Sequence, residues 1–163
     1  MSEIEPNVIF SIENLNRDYI CALDKLDMNK WLACFNKQEG SSYTLISNEN
    51  ESKGFPIAFM LDDKYERLQD RVTQVTVIQE DSTEHYQTRH MTQLTSIEDL
   101  GNNRYQANFN FSVFYTQNLI ETTEILCVGR YEDIVLVENG ASFIQRKTVI
   151  DTNVLPRYVA YPV

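Results

Sequence analysis

Arg104-Tyr105-Gln106-Ala107-Asn108-Phe109-Asn110-Phe111-Ser112-Val113-Phe114-Tyr115 opens the stretch, running to Asp151, whose reading decides the fold. Tyr105, Ala107, Phe109, Phe111, Val113 and Tyr115 fall on every second position, and polar residues occupy most places between them. A period of two is the pattern of a half-buried strand. Ile120 to Val137, interrupted by Gly129, and Ala141 to Ile150 read as two further strands. Glu138-Asn139-Gly140 joins them, and Asn-Gly supplies the positive φ angles of a tight hairpin. Gly129 is too central to end a short strand, so it predicts a bulge or bend where one long strand curls. The stretch predicts three long antiparallel strands in a strongly curved sheet.

Upstream, Met1 to Asn7 reads as a polar arm. A helix is predicted from Ser11, its N-cap, to Leu26, with Ile12, Leu15, Tyr19, Ala22, Leu23 and Leu26 on one stripe. A short second helix covers Asn29 to Phe35 and presents Trp31, Leu32 and Phe35. Asn36 to Lys53 reads as a long polar loop with one short strand, Tyr43 to Ile46, and Gly54-Phe55-Pro56-Ile57 closes it. A third helix is predicted from Asp62, its N-cap, to Val75. A polar connection, Glu80 to Glu84, leads to a strand over Tyr86 to Leu100 that ends at Gly101-Asn102-Asn103. The tail, Val154 to Val163, is apolar enough to pack in extended form. Helices followed by a curved sheet give an α+β fold, a cone closed by three N-terminal helices, in one domain spanning 1–163.

Composition narrows the function. The 163 residues can bury roughly 70% of the surface of the unfolded chain. A net charge of −10 argues against a nucleic-acid partner, which would need clustered Lys and Arg. Cys21, Cys34 and Cys127 lie in apolar segments without a CxxC or Cys-x-His pair, so neither zinc nor an iron–sulfur cluster finds its ligands here. No basic leader and no membrane-length apolar run is present, so the expected location is the cytoplasm, with no membrane partner.

Tyr19-x-x-Ala22-Leu23-Asp24, followed by Trp31 and Phe35, resembles the opening helices of cone-shaped, nuclear-transport-factor-2-like domains. Asp70-Arg71-Val72, Arg89-His90, Gly129-Arg130-Tyr131-Glu132-Asp133, Arg146 and Asp151 extend the likeness. With them the chain, from Arg17 to Val163, resembles the small (β) subunit of aromatic-ring-hydroxylating Rieske non-heme iron oxygenases. Gly54-Phe55-Pro56 and the ending from Leu155 to Val163 look closest to the branch acting on carboxylated aromatics such as salicylate or terephthalate. The resemblance implies a non-catalytic subunit of a hetero-hexameric (α3β3) oxidoreductase that uses O2 and NAD(P)H-derived electrons in aromatic catabolism. It also implies that the large (α) subunit holds the [2Fe-2S] Rieske cluster and the mononuclear Fe(II), and receives electrons from a ferredoxin or reductase. This chain's two histidines, His85 and His90, are five apart on a strand and point to opposite faces, which sets them badly for one iron.

Two groupings carry both a chemical and a structural reading. His90 with Asp24, and Asp27 near it, could do acid–base work in a stand-alone cone-fold lyase or isomerase, or could fix strand to helix. Relatives of the cone fold such as ketosteroid isomerases and scytalone dehydratases are the precedent for the first. Arg71, Arg89, Arg130 and Arg146 could gather an anion, or could pair with Asp70, Asp133 and Asp151 and fix register. The structural reading is the simpler in both cases. Phe109, Phe111, Phe114, Tyr115 and Tyr131 read as core more than as a substrate pocket. A third reading of the whole chain is a homodimer binding a small ligand.

Two apolar runs, Ile125-Leu126-Cys127-Val128 and Ile134-Val135-Leu136-Val137, break the alternation and put apolar side chains on both faces of one strand. Helices can cover only one face, so the other predicts a subunit interface, with one of Val135 and Leu136 turned outward. Gly129, Arg130, Tyr131, Asp133 and Arg146 belong to the same structural set.

Overall fold

Why the chain starts helical at Pro6 follows from that residue itself, since its fixed φ suits the first helical position. The computed structural model describes residues 4–78, 86–117 and 121–163. Helix α1 spans Pro6–Asp24, so Ser11 is not its cap: it lies inside the helix and its hydroxyl donates to Asn7 O at 2.8 Å. The stripe Ile12, Leu15, Tyr19, Ala22 and Leu23 is buried as expected. Leu26 leaves it, because α1 ends at Asp24 and Leu26 adopts φ 55°. There the Leu26 amide donates to Leu23 O and the Asp27 amide to Ala22 O, a C-terminal closure in which glycine is usual.

Asp27 then caps α2 (Met28–Ala33) by accepting the Lys30 amide at 3.1 Å. The long polar loop is more ordered than its composition suggests. It holds β1 (Ser42–Ser47) and a short helix, α3 (Asn48–Ser52), whose cap is Ser47. After β2 (Met60–Asp62), helix α4 runs Tyr65–Thr73 and continues as a π-helical turn, Gln74–Ile78. Asp62 does not cap it; the residue is buried and faces Arg71. The Glu80 to Glu84 connection, His85 and Ile120 lie outside the described residues.

Strands β3 (Tyr86–Gly101), β4 (Arg104–Gln117), β5 (Thr123–Val137) and β6 (Ala141–Ile150) follow, in a six-stranded sheet of order β2-β1-β6-β5-β4-β3. The α+β expectation holds, with the sheet mixed: β1 runs parallel to β6, and the other pairs are antiparallel. Asn102 and Asn103, at φ 53° and 59°, make the two-residue hairpin between β3 and β4. Along β4 the alternation is as read, with Ala107, Phe109, Phe111, Val113 and Tyr115 buried.

Gly129 is not a bulge. It stays in register with Phe111 on one side and Ile150 on the other. Its constraint is proximity: a Cβ there would stand 2.1 Å from Val149 O and 2.9 Å from Ile150 Cα. The register shifts fall elsewhere. Leu126 is the extra residue of β5 between the Val113–Cys127 and Phe114–Ile125 pairs, and Ile144 is extra in β6 opposite Ile134 and Val135.

The helices pack on the concave face, where Trp31, Phe35, Tyr43, Tyr131 and Phe143 surround Tyr19. Phe109 and Tyr115 are core as well, while Phe114 points to the opposite face and is half-buried. The tail ends inside: Val163 is buried, and its carbonyl accepts from the Tyr19 and Tyr43 hydroxyls at 3.1 and 3.2 Å. Phe111 stacks on Tyr131 with centroids 4.3 Å apart. Phe111→Ala is expected to lower stability by about 3–5 kcal/mol in denaturant unfolding, the usual cost of deleting a buried aromatic. An unchanged midpoint would mean that β4 presents its other face to the core.

Candidate functional site

Asp24 closes α1, and α1 lies across β3, so its carboxylate meets the inward side chains of that strand. Oδ1 accepts from the Thr88 hydroxyl at 2.8 Å and stands 2.6 Å from His90 Nδ1, while Oδ2 accepts the His90 amide at 3.2 Å. Burial works against ionised Asp24, yet the His90 ring, its charge, the Thr88 hydroxyl and the His90 amide outweigh it and hold the carboxyl below its ordinary value. His90 is buried, and its Nε2 has no partner among the described residues. The predicted pairing of His90 with Asp24 is therefore present. Asp27 is not part of it, being the cap of α2.

The centre of the concave face holds a second constellation. Arg146 meets Asp133 in a forked pair, Nε to Oδ1 at 3.0 Å and Nη2 to Oδ2 at 2.7 Å, and Nη2 also donates to Asn16 Oδ1 at 2.8 Å. Both side chains are fully buried. The guanidinium lies 4.0–4.1 Å from the ring centroids of Tyr19, Tyr131 and Phe143. Burial disfavours both charges. It pushes the Asp133 carboxyl up against the pull of Arg146, while the Asp133 carboxylate more than offsets burial at Arg146 and pushes that pKa up. The forked, fully buried contact is the geometry of an ion pair. Asn16, on the buried stripe of α1, is a member that composition and spacing did not reveal.

The four arginines do not gather into one anion site. Arg71 pairs with Asp62, through Nε to Oδ2 and Nη2 to Oδ1, and not with Asp70. Arg130 binds Glu132 at 2.7 Å, Glu51 at 2.6 Å and Asn48 at 3.0 Å, with Lys147 bridging Glu51 and Glu132. Asp133 is therefore Arg146's partner alone, and Asp151 makes no ion pair among the described residues. Arg89 donates to Thr88 O at 3.0 Å. Glu51 of α3 was missed because a polar loop gives no periodic signal.

Neither the interface expectation for Val135 nor that for Leu136 survives. Val135 is 0% and Leu136 8% exposed, covered by this chain alone. Val135 belongs to the core cluster opposite Phe143, and Leu136 shares a groove with Asn36 and Ser142. The other run behaves as read: Leu126 and Cys127 are buried while Ile125 and Val128 are 54% and 42% exposed.

Chemically, an Asp–His pair can move a proton, provided a substrate can reach the imidazole. Here the His90 side chain is only 1% exposed, so the imidazole is closed off from solvent. Among the described residues no group of three His, Cys, Asp or Glu could hold a metal.

This cone, helices inside a curved mixed sheet, is a nuclear-transport-factor-2-like domain. A family model for the ring hydroxylating beta subunit matches residues 20–157. The chain belongs to that family, and a β subunit implies an α oxygenase subunit as partner. Its structure is similar to the beta subunit of an assigned aromatic-ring-hydroxylating dioxygenase from Novosphingobium aromaticivorans, at 26% identity and TM-score 0.75, covering 87% of this chain and 88% of that one. It is also similar to the beta subunit of benzoate 1,2-dioxygenase from Burkholderia mallei, at 15% identity and TM-score 0.72, with 93% of each chain covered. A protein assigned as a scytalone dehydratase from N. aromaticivorans shares the fold at 14% identity and TM-score 0.66, covering 88% of this chain and 84% of that one. Among curated proteins, none matches this chain in sequence.

Two outcomes follow from the two constellations. Asp24 has a folded pKa below its unfolded one, so its stabilisation is present above the unfolded value of about 3.9 and is lost as pH falls through the folded value. Urea unfolding of Asp24→Asn against the parent should give a stability gap that narrows as pH drops below about 4. A gap independent of pH would show that the Asp24 charge contributes nothing. Asp133→Asn leaves Arg146 buried without its counterion, and thermal unfolding should report a loss of about 3–5 kcal/mol. A variant as stable as the parent would mean that Arg146 finds another anion.

Proposed function

We propose that this chain, as a single domain over 1–163, is a non-catalytic structural subunit of the terminal oxygenase in a multicomponent aromatic-ring-hydroxylating system of aromatic catabolism. The observation that carries the reading is a closed interior: Arg146, Asp133 and the rings around Arg146 are buried core, and the His90 side chain is only 1% exposed, so its imidazole meets no open solvent. The chain then contributes a rigid platform. Its partner is a large α subunit, in an α3β3 assembly, that holds the [2Fe-2S] Rieske cluster and the mononuclear Fe(II) and takes electrons from a ferredoxin or reductase. Neither group fits here. A Rieske centre needs two Cys and two His, and Cys34 and Cys127 are buried thiols whose pKa burial pushes up to about 12. The free thiols support a reducing, cytoplasmic setting. The Gly54-Phe55-Pro56 segment and the ending from Leu155 to Val163 support the branch that acts on carboxylated aromatics such as salicylate or terephthalate.

In this role the Asp24–His90 pair is a strut that ties α1 to β3, and Arg71, Arg89, Arg130 and Arg146 fix strands and surfaces. His90→Gln, co-expressed with the large subunit, should reduce the yield of assembled complex while turnover per intact complex stays near the parent's. A fall in turnover per complex of roughly 10²–10⁴-fold, the contribution of a general acid or base, would reverse the assignment in favour of a lyase or isomerase.

A further inference from the structure

Beyond β6 the tail returns to the concave face and is held at two points. Arg157 lies over the Tyr86 ring of β3, 4.0 Å from its centroid, and 5.7 Å from that of Tyr115 of β4. Val163 meets the opposite side. Its carbonyl accepts from the hydroxyls of Tyr19 of α1 at 3.1 Å and Tyr43 of β1 at 3.2 Å, and its amide donates to Tyr43 at 3.1 Å. Strands β1 and β3 are four spacings apart in the sheet, about 19 Å if it were flat. The six residues from Arg157 to Val163 reach about 20 Å when extended. The tail therefore crosses the concavity from β3 to β1, and Ala160, Pro162 and Val163 are buried along the way.

The surroundings of Val163 are rich in donors. Tyr19, Tyr43 and Tyr131 are 0% exposed, and burial pushes their pKa values up, so each hydroxyl keeps the proton it can donate. Trp31 neighbours the Tyr19 hydroxyl and Thr148 the Tyr43 hydroxyl, while the Arg146 guanidinium lies 4.0 Å from the Tyr19 ring centroid. These three side chains are also 0% exposed. Trp31 Nε1, Thr148 Oγ1, the Tyr131 hydroxyl and Arg146 Nη1 have no hydrogen-bond partner among the described residues. Trp and Arg can only donate, so what the cluster lacks is acceptors. Buried donors left unmet are costly. A backbone carbonyl brings one oxygen to this place, whereas a carboxylate brings two oxygens and a charge.

We propose that the interior around Tyr19 and Tyr43 is a binding site for a small aliphatic carboxylate, and that Val163 occupies it as a built-in competitor. The donors and the tail all belong to this chain, so the inference does not rest on the subunit reading. A ligand with the valine skeleton and a carboxylate in place of the peptide group takes the space of Val163 and the two hydroxyls that it holds. Its apparent affinity is set by the fraction of molecules whose tail is withdrawn. The test is calorimetric titration of the full chain with isovalerate, with isovaleramide as the neutral counterpart. Arg157→Gln removes the cation from Tyr86 and loosens the tail, so isovalerate should bind this variant roughly tenfold more tightly than the parent, as for a tenfold rise in the competent fraction. In that background Tyr43→Phe keeps the ring and removes the hydroxyl, and should weaken binding by about tenfold or more, the worth of a hydrogen bond to a charged group. Tyr19→Phe makes the same measurement if Tyr43→Phe does not fold. In the parent, isovalerate should also speed chymotryptic cleavage after Tyr158, because it displaces the tail. Equal affinity of the parent and Arg157→Gln, the absence of binding to either, or unchanged affinity in the Tyr→Phe variant overturns the site. Isovaleramide binding as tightly as isovalerate overturns the carboxylate, and binding without faster cleavage overturns the competition.

Discussion

The ion pair between Arg146 and Asp133 is the constraint on which the rest of this structure depends. Removing both charges from water costs several kcal/mol per ion after relaxation, and only close, forked geometry with further hydrogen bonds offsets that cost. The chain supplies both. Two N–H···O bonds join the pair, Asn16 takes a further N–H, and three aromatic rings line the cation. The partners sit directly opposite each other on β5 and β6. A slip of one residue would turn one of them to the outer face and strand the other charge in the core. The pair thus specifies the register of the two central strands, and through Asn16 it fixes where α1 crosses them.

The same arrangement decides what the cone can be used for. A guanidinium, a carboxylate and several rings take up the middle of the concave face, and Val163 closes it against Tyr19 and Tyr43. The Asp24–His90 pair shares no hydrogen bond with that cluster among the described residues and instead ties helix to strand, through His90 Nδ1 at 2.6 Å and the His90 amide at 3.2 Å. A domain whose inside is given over to its own structure has its outer surfaces left for interaction. That is consistent with membership of a β-subunit family, in which an α partner is implied.

How much of this could be read from the residues varied with the physical origin of each feature. Strand β4 was legible because alternation is a direct image of pleating, and the hairpins because Asn and Gly tolerate positive φ. The start of α1 was misread because Ser11 looks like a cap, although Pro6 fixes the helix start five residues earlier. Asp62 was misread for a related reason: an acidic residue ahead of a helix can cap it or can turn inward, and the choice depends on Arg71, nine positions on. Gly129 showed that something was special at its site, but close approach of β6 and a bulge demand the same residue. The forked pairing of Arg146 with Asp133 was among the expected options. The parallel placement of β1 beside β6 was not, since no local pattern encodes which strands meet across the chain.

The two apolar runs of β5 show where sequence pattern and surface part company. Each has four consecutive apolar residues, and an unbroken strand would send two of each set outward. At Leu126 the extra residue lies within the run itself. Leu126 and Cys127 both turn inward, and Ile125 and Val128 are left outside on either flank. At Ile134 and Val135 the extra residue lies on the partner strand, and Val135 and Leu136 are both buried. Identical patterns therefore become an outward row in one case and core in the other. The difference is the strand that carries the insertion, which depends on cross-strand register and not on the composition of either run. Because register is held by Arg146 and Asp133, the buried pair also sets which apolar side chains remain available outside.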